Sequence, residues 1–389
     1  MLDRTNILFI THYSGMYGAN QSLCTLVLEL RDKYNVHPIV LLPCKGDFYN
    51  LLEQNKITCY VSHFYWWVNA DKGLFQRLLN YRKQMRNLLR GPKLLKIIKK
   101  EEIDLVYSNS VTINIGVFLS SKLHCPHIWH IRETLQAYNF QFSIADFLVK
   151  KIFASGADKY IVISDFIAAS YSDFLPREKV QKIYNGVSNN RDLLQTNEEQ
   201  GILNLCMLGL VCAQKNQLDA IKAVKLLSKE KGIQHIKLHI VGAAKEDYLQ
   251  EVKAYIEDNA LQDKVILHGH QSDIQSILCN MHIGLMCARD EAFGRVSIEY
   301  MLHHMPVIAS RSGANAELVK EGISGTLYEL NNIEVLAAKI ETFIENPHLQ
   351  TTMGESAYEY AKNNFSSEQT TAAIYSLIEA LLKNNLHQF

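Results

Sequence analysis

The sequence lacks several patterns that would identify common classes of protein. Its eight cysteines include no C-x-x-C pair, so neither a disulfide framework nor a zinc site is indicated, and reduced thiols are expected. The opening residues, MLDRTNILFITHY, contain an apolar run that covers only positions 7–10. This run is too short for a signal peptide core or a membrane span, so we expect a cytoplasmic protein.

Cofactor motifs are missing as well. No G-x-G-x-x-G follows a predicted strand, which disfavours a typical NAD site. No D-x-D pair or metal-ligand cluster stands at a predicted strand end, so we expect an activity that needs neither a metal ion nor a cofactor. The formal net charge is zero over 389 residues, of which 48% are apolar, so the chain is globular and no nucleic-acid partner is expected.

Short β-branched runs alternate with longer helical patterns along the chain, which predicts two parallel, doubly wound sheets. The polar, turn-rich segment 185–204 marks the linker between two Rossmann-like α/β domains, residues 1–188 and 203–366. The predicted strands are 7–11, 38–42, 57–62, 105–108, 128–130, 160–163 and 180–183 in the first domain, and 203–208, 237–241, 265–267, 283–286, 307–309 and 326–328 in the second.

The segment EAFGRVSIE, from Glu291 to Glu299, carries the most specific chemistry. If a helix begins near Gly294, its first N–H groups attract an anion such as a diphosphate. Glu299 then lies one turn inside, on the face of Arg295 and Val296, where its carboxylate can accept both hydroxyls of a ribose. Glu291 stays on the preceding loop and can bind hydroxyls beyond the phosphates. The pattern indicates a nucleotide diphosphate sugar, although two acids beside a helix also fit a helix cap and a solvated surface residue.

Residues 283–328 resemble the nucleotide-binding half of the retaining glycosyltransferases of family 4. That family has two acids separated by seven residues, then a Pro-Val-Ile strand, a Gly-Gly-x-x-Glu loop and a Gly-x-x-Gly turn. This sequence departs from the pattern at His304 and Ala314, where the family usually has glycine. The resemblance covers nearly the whole chain and is strongest over 203–330. It implies the GT-B architecture, two Rossmann-like domains facing a central cleft, with a C-terminal helix in 367–389 that packs back on the first domain.

The resemblance also implies roles for residues in the first, acceptor-binding domain. Gly18, in THYSGMYGANQSL, matches the family's first glycine loop. His130, in HIRE, matches the histidine that the family places beside the donor sugar. Arg132 and Glu133 would orient the acceptor or line the mouth of the cleft. Without that register, His130 would be interpreted as an ordinary hydrogen-bonded structural residue.

In the second, nucleotide-sugar-binding domain, MLGLVCAQKNQ supplies Gly209 and Lys215. By resemblance, Lys215 reaches the diphosphate of the donor and stabilises the leaving group. The family usually has arginine after the glycine, but this chain has Leu210, and Arg295 is the residue that could compensate. The ordinary interpretation of Lys215 is a solvated loop lysine.

Residues 72–100 contain ten basic residues and no acid, and the aromatic segment 64–67 precedes them. Apolar positions recur at helical spacing between the charges, a pattern typical of a helix on an anionic membrane surface. An ordinary surface helix with its apolar stripe on the core has the same pattern. Both interpretations of residues 64–100 stay open at this point.

We therefore predict a retaining, metal-independent glycosyltransferase that moves a sugar from a UDP- or GDP-linked donor to a glycan or lipid-linked acceptor. Cell-surface polysaccharide or glycolipid assembly, in the cytoplasm or at the inner face of the cell membrane, is the expected setting. The alternatives are a sugar-nucleotide epimerase of the same architecture and a non-catalytic sugar-nucleotide-binding subunit. Loss of arginine at Leu210 favours the subunit, whereas retention of Glu291, Glu299 and Lys215 disfavours it.

Overall fold

A computed structural model describes residues 4–70, 74–136, 139–188 and 201–386, with the side chains of 74–78 and 386 outside the description. The chain forms two compact units. The first comprises Met1–Ser188 together with Ser367–Phe389, and the second comprises Asn189–Ser366. Much of the predicted linker, residues 189–200, lies outside the described residues.

The strands follow in chain order. They are β1 Thr5–Ile10, β2 Val36–Leu42, β3 Thr58–Val61, β4 Val68–Asn69, β5 Leu105–Ser108, β6 His127–Ile131, β7 Gln141–Phe142, β8 Lys159–Val162, β9 Val180–Lys182, β10 Leu203–Leu208, β11 Ile236–Val241, β12 Val265–Gly269, β13 Ile283–Met286, β14 Val307–Ser310 and β15 Gly325–Tyr328.

The helices are α1 Gly18–Tyr34, α2 Asp47–Gln54, α3 Leu74–Ile98, α4 Ile115–Leu123, α5 Asp146–Ser155, α6 Asp165–Ser170, α7 Gln217–Lys225, α8 Glu246–Asp258, α9 Ile274–Leu278, α10 Arg295–Met301, α11 Asn315–Leu318, α12 Ile333–Glu345, α13 Pro347–Asn364 and α14 Ser367–Leu386. A π-helical turn, Leu226–Glu230, extends α7, and short 3-10 turns cover Lys99–Glu101 and Arg177–Lys179.

Each unit is built on one parallel sheet. Within the described residues, the first sheet has the order β3-β2-β1-β5-β6-β8-β9 and the second has β12-β11-β10-β13-β14-β15. Their strand pairings are parallel throughout. Helices join successive strands, so the prediction of two doubly wound parallel sheets is confirmed. The antiparallel pair of β4 and β7 was not predicted.

The apolar strand runs that predicted the sheets also form the cores. In the second unit, strand residues such as Leu205 and Leu238 pack with Val224 of α7 and Ile340 of α12, and all four side chains are fully buried. Parallel strands covered on both faces read as continuous apolar runs, which is why their positions could be predicted. The carboxyl ends of these strands are consequently fixed in space and hold the loops described below.

The last helix belongs to the first unit. Ile374 and Ile378 of α14 are buried in the same apolar cluster as Leu23 and Val27 of α1. The ring centroids of Tyr34 and Tyr375 lie 4.3 Å apart, and the Ser367 hydroxyl donates to Glu29 Oε1 at 2.6 Å. The helix thus completes the core of the first unit.

Helix α3 buries two asparagines in its first half and middle and exposes leucines there, whereas Leu94 and Ile98 near its end are buried in the apolar core. Asn80 and Asn87 are buried, and the Asn87 amide accepts from the Tyr65 N–H at 2.8 Å and donates to its carbonyl at 2.9 Å. On the opposite side Leu88 is 54% exposed and Leu89 is 76% exposed. Interpreting the apolar stripe as core-facing is wrong for these two leucines. Residues 71–73 of the basic segment lie outside the described residues.

Candidate active site

Three glycines stand at adjacent strand ends in the second unit. Gly209 follows β10, Gly242 follows β11 and Gly269 ends β12, and all three have positive φ. The Gly209 N–H donates to the Val241 carbonyl at 2.9 Å, and the Gly242 N–H donates to the Gly269 carbonyl at 2.8 Å. A Cβ on Gly242 would lie 2.0 Å from the Gly209 oxygen. Only glycine therefore fits at position 242, where two of these turns pack together.

Lys215 and Glu291, two of the predicted site residues, contact each other. Lys215 lies in the loop after β10, and its Nζ is 2.5 Å from Oε2 of Glu291 in the loop before α10. A backbone bond from the Arg289 N–H to the Gln214 carbonyl, 2.8 Å long, joins the same two loops. The lysine side chain is 29% exposed and the glutamate side chain 14% exposed. The pair is thus partly shielded from solvent screening.

The loop after β14 fixes the backbone of Glu291. The Ala314 N–H donates to the Glu291 carbonyl at 2.8 Å. Gly313 has φ +59°, and a Cβ there would lie 2.3 Å from both the N and the O of Glu291. Ala314, which replaces the family's second loop glycine, is fully buried. The role of Gly313 was not recognised from the sequence, although its place in a glycine-bearing loop was the available signal.

Helix α10 begins one residue after Gly294, which caps it in the left-handed conformation with φ +87°. Arg295 and Glu299 form an i,i+4 ion pair, with Nε 2.9 Å from Oε1 and about a fifth of each side chain exposed. Val296 is half-buried beside them. The two residues predicted to bind the diphosphate and the ribose therefore contact each other in this structure.

Asn315, the first residue of α11, lies beside the same turn. Its side chain is fully buried, and its Oδ1 has no hydrogen-bond partner in the described part of the chain. A Cβ on Gly294 would approach this oxygen to 3.4 Å. Asn315 was not predicted, because an asparagine that starts a short helix is usually a local cap.

The other two predicted positions, Gly18 and His130, belong to the first unit. Gly18 begins α1, and a Cβ there would meet no atom within 4 Å. The neighbouring loop is fixed by Asn20, whose amide donates to the carbonyls of Tyr13 at 3.0 Å and Gly15 at 2.8 Å. Open space at Gly18 therefore lies beside a rigid loop.

His130, near the end of β6, is fully buried. Its Nδ1 lies 2.5 Å from the Tyr107 hydroxyl, and its Nε2 has no partner among the described residues. Burial lowers the pKa of His130 well below its usual value, and the nearby Arg132 guanidinium lowers it further. The imidazole is therefore neutral at physiological pH and can act as a hydrogen-bonding group but not as a cation.

The residues after His130 hold the loop that follows β5. Arg132 Nε donates to Asn109 Oδ1 at 2.6 Å. Glu133 Oε1 accepts from the Val111 N–H at 3.2 Å and from the Ser110 hydroxyl. Burial raises the pKa of Glu133 to about 7, against the lowering effect of the Ser110 hydrogen bond. Both side chains are thus committed to protein contacts that fix this edge of the sheet.

Two family models match the chain in succession. Residues 17–191 match the model described as Glycosyltransferase Family 4, and residues 192–360 match the model described as Glycosyl transferases group 1. An uncharacterized glycosyltransferase of Methanocaldococcus jannaschii is 29% identical over 293 residues, which are 73% of this chain and 78% of that protein.

A lipopolysaccharide core biosynthesis mannosyltransferase of Rhizobium leguminosarum is 29% identical over 138 residues, 36% of this chain and 39% of that protein. Among solved structures, Anabaena HepE in complex with UDP superimposes with a TM-score of 0.79 at 22% identity, over 97% of this chain and all of that one. At this identity the likeness supports the fold alone, which is GT-B. Within the described residues, no helix combines the length and apolarity that crossing a bilayer requires.

Proposed function

Because the chain belongs to the group 1 glycosyltransferases of family 4 with the GT-B fold, we propose that it moves a sugar from a UDP- or GDP-linked donor to an acceptor hydroxyl with retention of configuration. The Lys215–Glu291 pair at the strand ends of the second unit carries this proposal. It places a cation that can bind phosphate beside a carboxylate that can accept hydrogen bonds from sugar hydroxyls. A site for a sugar joined to a diphosphate requires both groups. The UDP bound to HepE supports a nucleotide donor.

Five of the predicted residues have proposed side-chain roles in this reaction. Lys215 neutralises the diphosphate, and Glu291 accepts hydrogen bonds from hydroxyls of the transferred sugar. Glu299 turns from Arg295 to the ribose, and Arg295 then supplies a second cation near the phosphates. His130, as a neutral imidazole, donates or accepts one hydrogen bond at the sugar.

The proposed chemistry uses the donor's own leaving group. The bond from the anomeric carbon to the phosphate oxygen breaks while the bond to the acceptor oxygen forms on the same face. The acceptor's proton moves to the departing phosphate oxygen, so the products are the glycoside and the nucleoside diphosphate. Lys215 stabilises the charge that develops on the diphosphate, which is the largest contribution asked of the protein. We propose that no divalent ion is needed, because the sequence lacks a D-x-D pair at a strand end.

A thermal-shift panel tests the nucleotide-binding step of the proposed function, and product analysis with and without an acceptor tests turnover. UDP, GDP and their glucose and mannose conjugates should raise the unfolding temperature, whereas uridine, guanosine and glucose alone should not. The assay is repeated with EDTA to test metal independence. No shift with any nucleotide would reject the proposal. Conversion of one sugar nucleotide into its epimer without an acceptor would favour the epimerase instead, and binding without turnover on any acceptor would favour a non-catalytic subunit.

We further propose that the acceptor is a glycan or lipid-linked glycan and that α3 associates with anionic membrane surfaces. Tyr81, Met85, Leu88 and Leu89 are exposed on its outer side, and Arg82, Arg86 and Lys93 are exposed on the same helix. Apolar residues flanked by cations match the interfacial region of an anionic bilayer. The buried Asn87, bonded to the Tyr65 backbone, keeps this side outward.

Reversing three of these charges should abolish vesicle binding. Each basic residue near an anionic surface contributes about 1 kcal/mol at low salt, so Arg82→Glu, Arg86→Glu and Lys93→Glu together should remove most of the affinity for phosphatidylglycerol vesicles in a sedimentation assay. Arg90 is left unchanged because it donates to the His63 carbonyl at 3.2 Å. The control carries the same reversal at exposed Lys229, Lys245 and Lys253 of the second unit. If the unmodified protein stays in the supernatant at low salt, the membrane proposal fails and a soluble acceptor is favoured.

A further inference from the structure

The contact between Lys215 and Glu291 has a consequence for product release that rests on the proposed function. We infer that Lys215 leaves Glu291 and pairs with the diphosphate when the donor binds. We also infer that Glu291 returns to Lys215 once the sugar has left, which weakens the hold on the nucleoside diphosphate. Glu291 would then distinguish the sugar-bearing donor from the product.

The geometry supports an exchange because the two partners differ in freedom. The backbone of Glu291 is fixed by the Ala314 N–H and enclosed by Gly313. Lys215 reaches it on a flexible stem that passes over Gly209, with Cε 3.9 Å from where a Cβ of that glycine would lie. Rotation of this stem can move the ammonium group from the carboxylate to a phosphate without moving either loop.

The charges of the site show why Glu291 would oppose a bare diphosphate. The predicted donor residues comprise two cations, Lys215 and Arg295, each in an ion pair with a carboxylate of the same set. A diphosphate therefore has to displace a carboxylate to reach Lys215, and that carboxylate then lies close to the phosphates as a like charge. Sugar hydroxyls offset this cost by donating hydrogen bonds to Glu291. The nucleoside diphosphate product lacks the transferred sugar and its hydroxyls, so the repulsion between Glu291 and the phosphates opposes its binding in full.

Isothermal titration with UDP and UDP-glucose, or with GDP and GDP-mannose if the panel selects guanosine, tests this inference. In Glu291→Gln the nucleoside diphosphate should bind about tenfold more tightly than in the unmodified protein, because glutamine neither pairs strongly with Lys215 nor repels phosphate. The sugar nucleotide should gain nothing, since one charge-assisted hydrogen bond is lost. In a Lys215→Ala background, the gain from Glu291→Gln should become smaller.

Glu334→Gln serves as the matched control, because it removes one exposed carboxylate from the same unit. Its affinity for the nucleoside diphosphate should match that of the unmodified protein. Unchanged or weaker binding of the diphosphate by Glu291→Gln would overturn the inference, and would mean that Glu291 only holds Lys215 in position. If the unmodified protein binds no nucleotide at all, the proposed function fails, and the inference fails with it.

Discussion

Replacing Lys215 by alanine is expected to slow sugar transfer by about 10²–10³-fold, the usual loss when one group that stabilises developing charge is removed. The ammonium group lies 2.5 Å from Glu291 at the strand ends of the second unit, and we propose that it neutralises the leaving diphosphate. Removing it should also weaken binding of the nucleoside diphosphate by about 1–3 kcal/mol. Steady-state kinetics and titration calorimetry measure the two effects separately.

Lys253→Ala is the control for this variant, because Lys253 is exposed on α8 of the same unit. Its transfer rate and nucleotide affinity should equal those of the unmodified protein. A Lys215→Ala protein that keeps full activity would show that the ion pair with Glu291 is structural and that the diphosphate binds elsewhere.

Gly313→Ala is expected to destabilise the second unit by about 3 kcal/mol and to slow transfer by about 10²-fold. The new Cβ would lie 2.3 Å from the backbone N and O of Glu291, and the residue would keep an unfavourable φ of +59°. Because the obstacle is backbone, the loop that carries Glu291 has to move, and a displacement of about 1 Å at a reacting group costs about 10²-fold in rate. Thermal unfolding and the transfer assay measure both effects.

Gly322→Ala measures the effect of an unfavourable φ without a steric clash. Gly322 also has positive φ, +75°, but a Cβ there would meet nothing within 4 Å. This variant should lose only about 1 kcal/mol of stability and keep its activity. Equal loss in the two variants would show that backbone strain, rather than contact with Glu291, decides the outcome.

The strands were predictable because buried parallel strands appear in the sequence as continuous apolar runs. The ranges 105–108, 203–208 and 283–286 agree with β5, β10 and β13, and the other predicted strands differ by at most two residues at either end. The pair of β4 and β7 is too short for a periodic signal. It exists because tertiary contacts hold it, including the 3.1 Å bond from the Trp67 N–H to the Thr112 carbonyl.

The sequence supplied candidate site residues but not their contacts with one another. Family register named Lys215 and Glu291, but residues 76 positions apart form an ion pair only when two loops meet, which no local pattern specifies. The Arg295–Glu299 pair could have been predicted from its i,i+4 spacing. Both residues were instead assigned to a ligand expected at the same place.

The orientation of α3 was not predictable for a different reason. Its periodicity distinguishes two sides of a helix but does not say which side faces the protein. The inward side is fixed by Asn87, whose amide bonds to both the N–H and the carbonyl of Tyr65, and by Leu94 and Ile98, which are buried in the core. An asparagine in a basic helix gives no such signal by itself, because solvent would satisfy it equally well.

The place of α14 in the first unit sets an order for folding during synthesis. The second unit is continuous, residues 189–366, and leaves the ribosome before α14 does. Ile374 and Ile378 reach the core around Leu23 only after translation has passed them. Until then the nascent first unit exposes an apolar side of α1, the kind of surface that chaperones bind and that aggregates form on. Ribosome stalling near residue 366 would therefore leave the first unit unable to finish folding, although most of its residues have already been made.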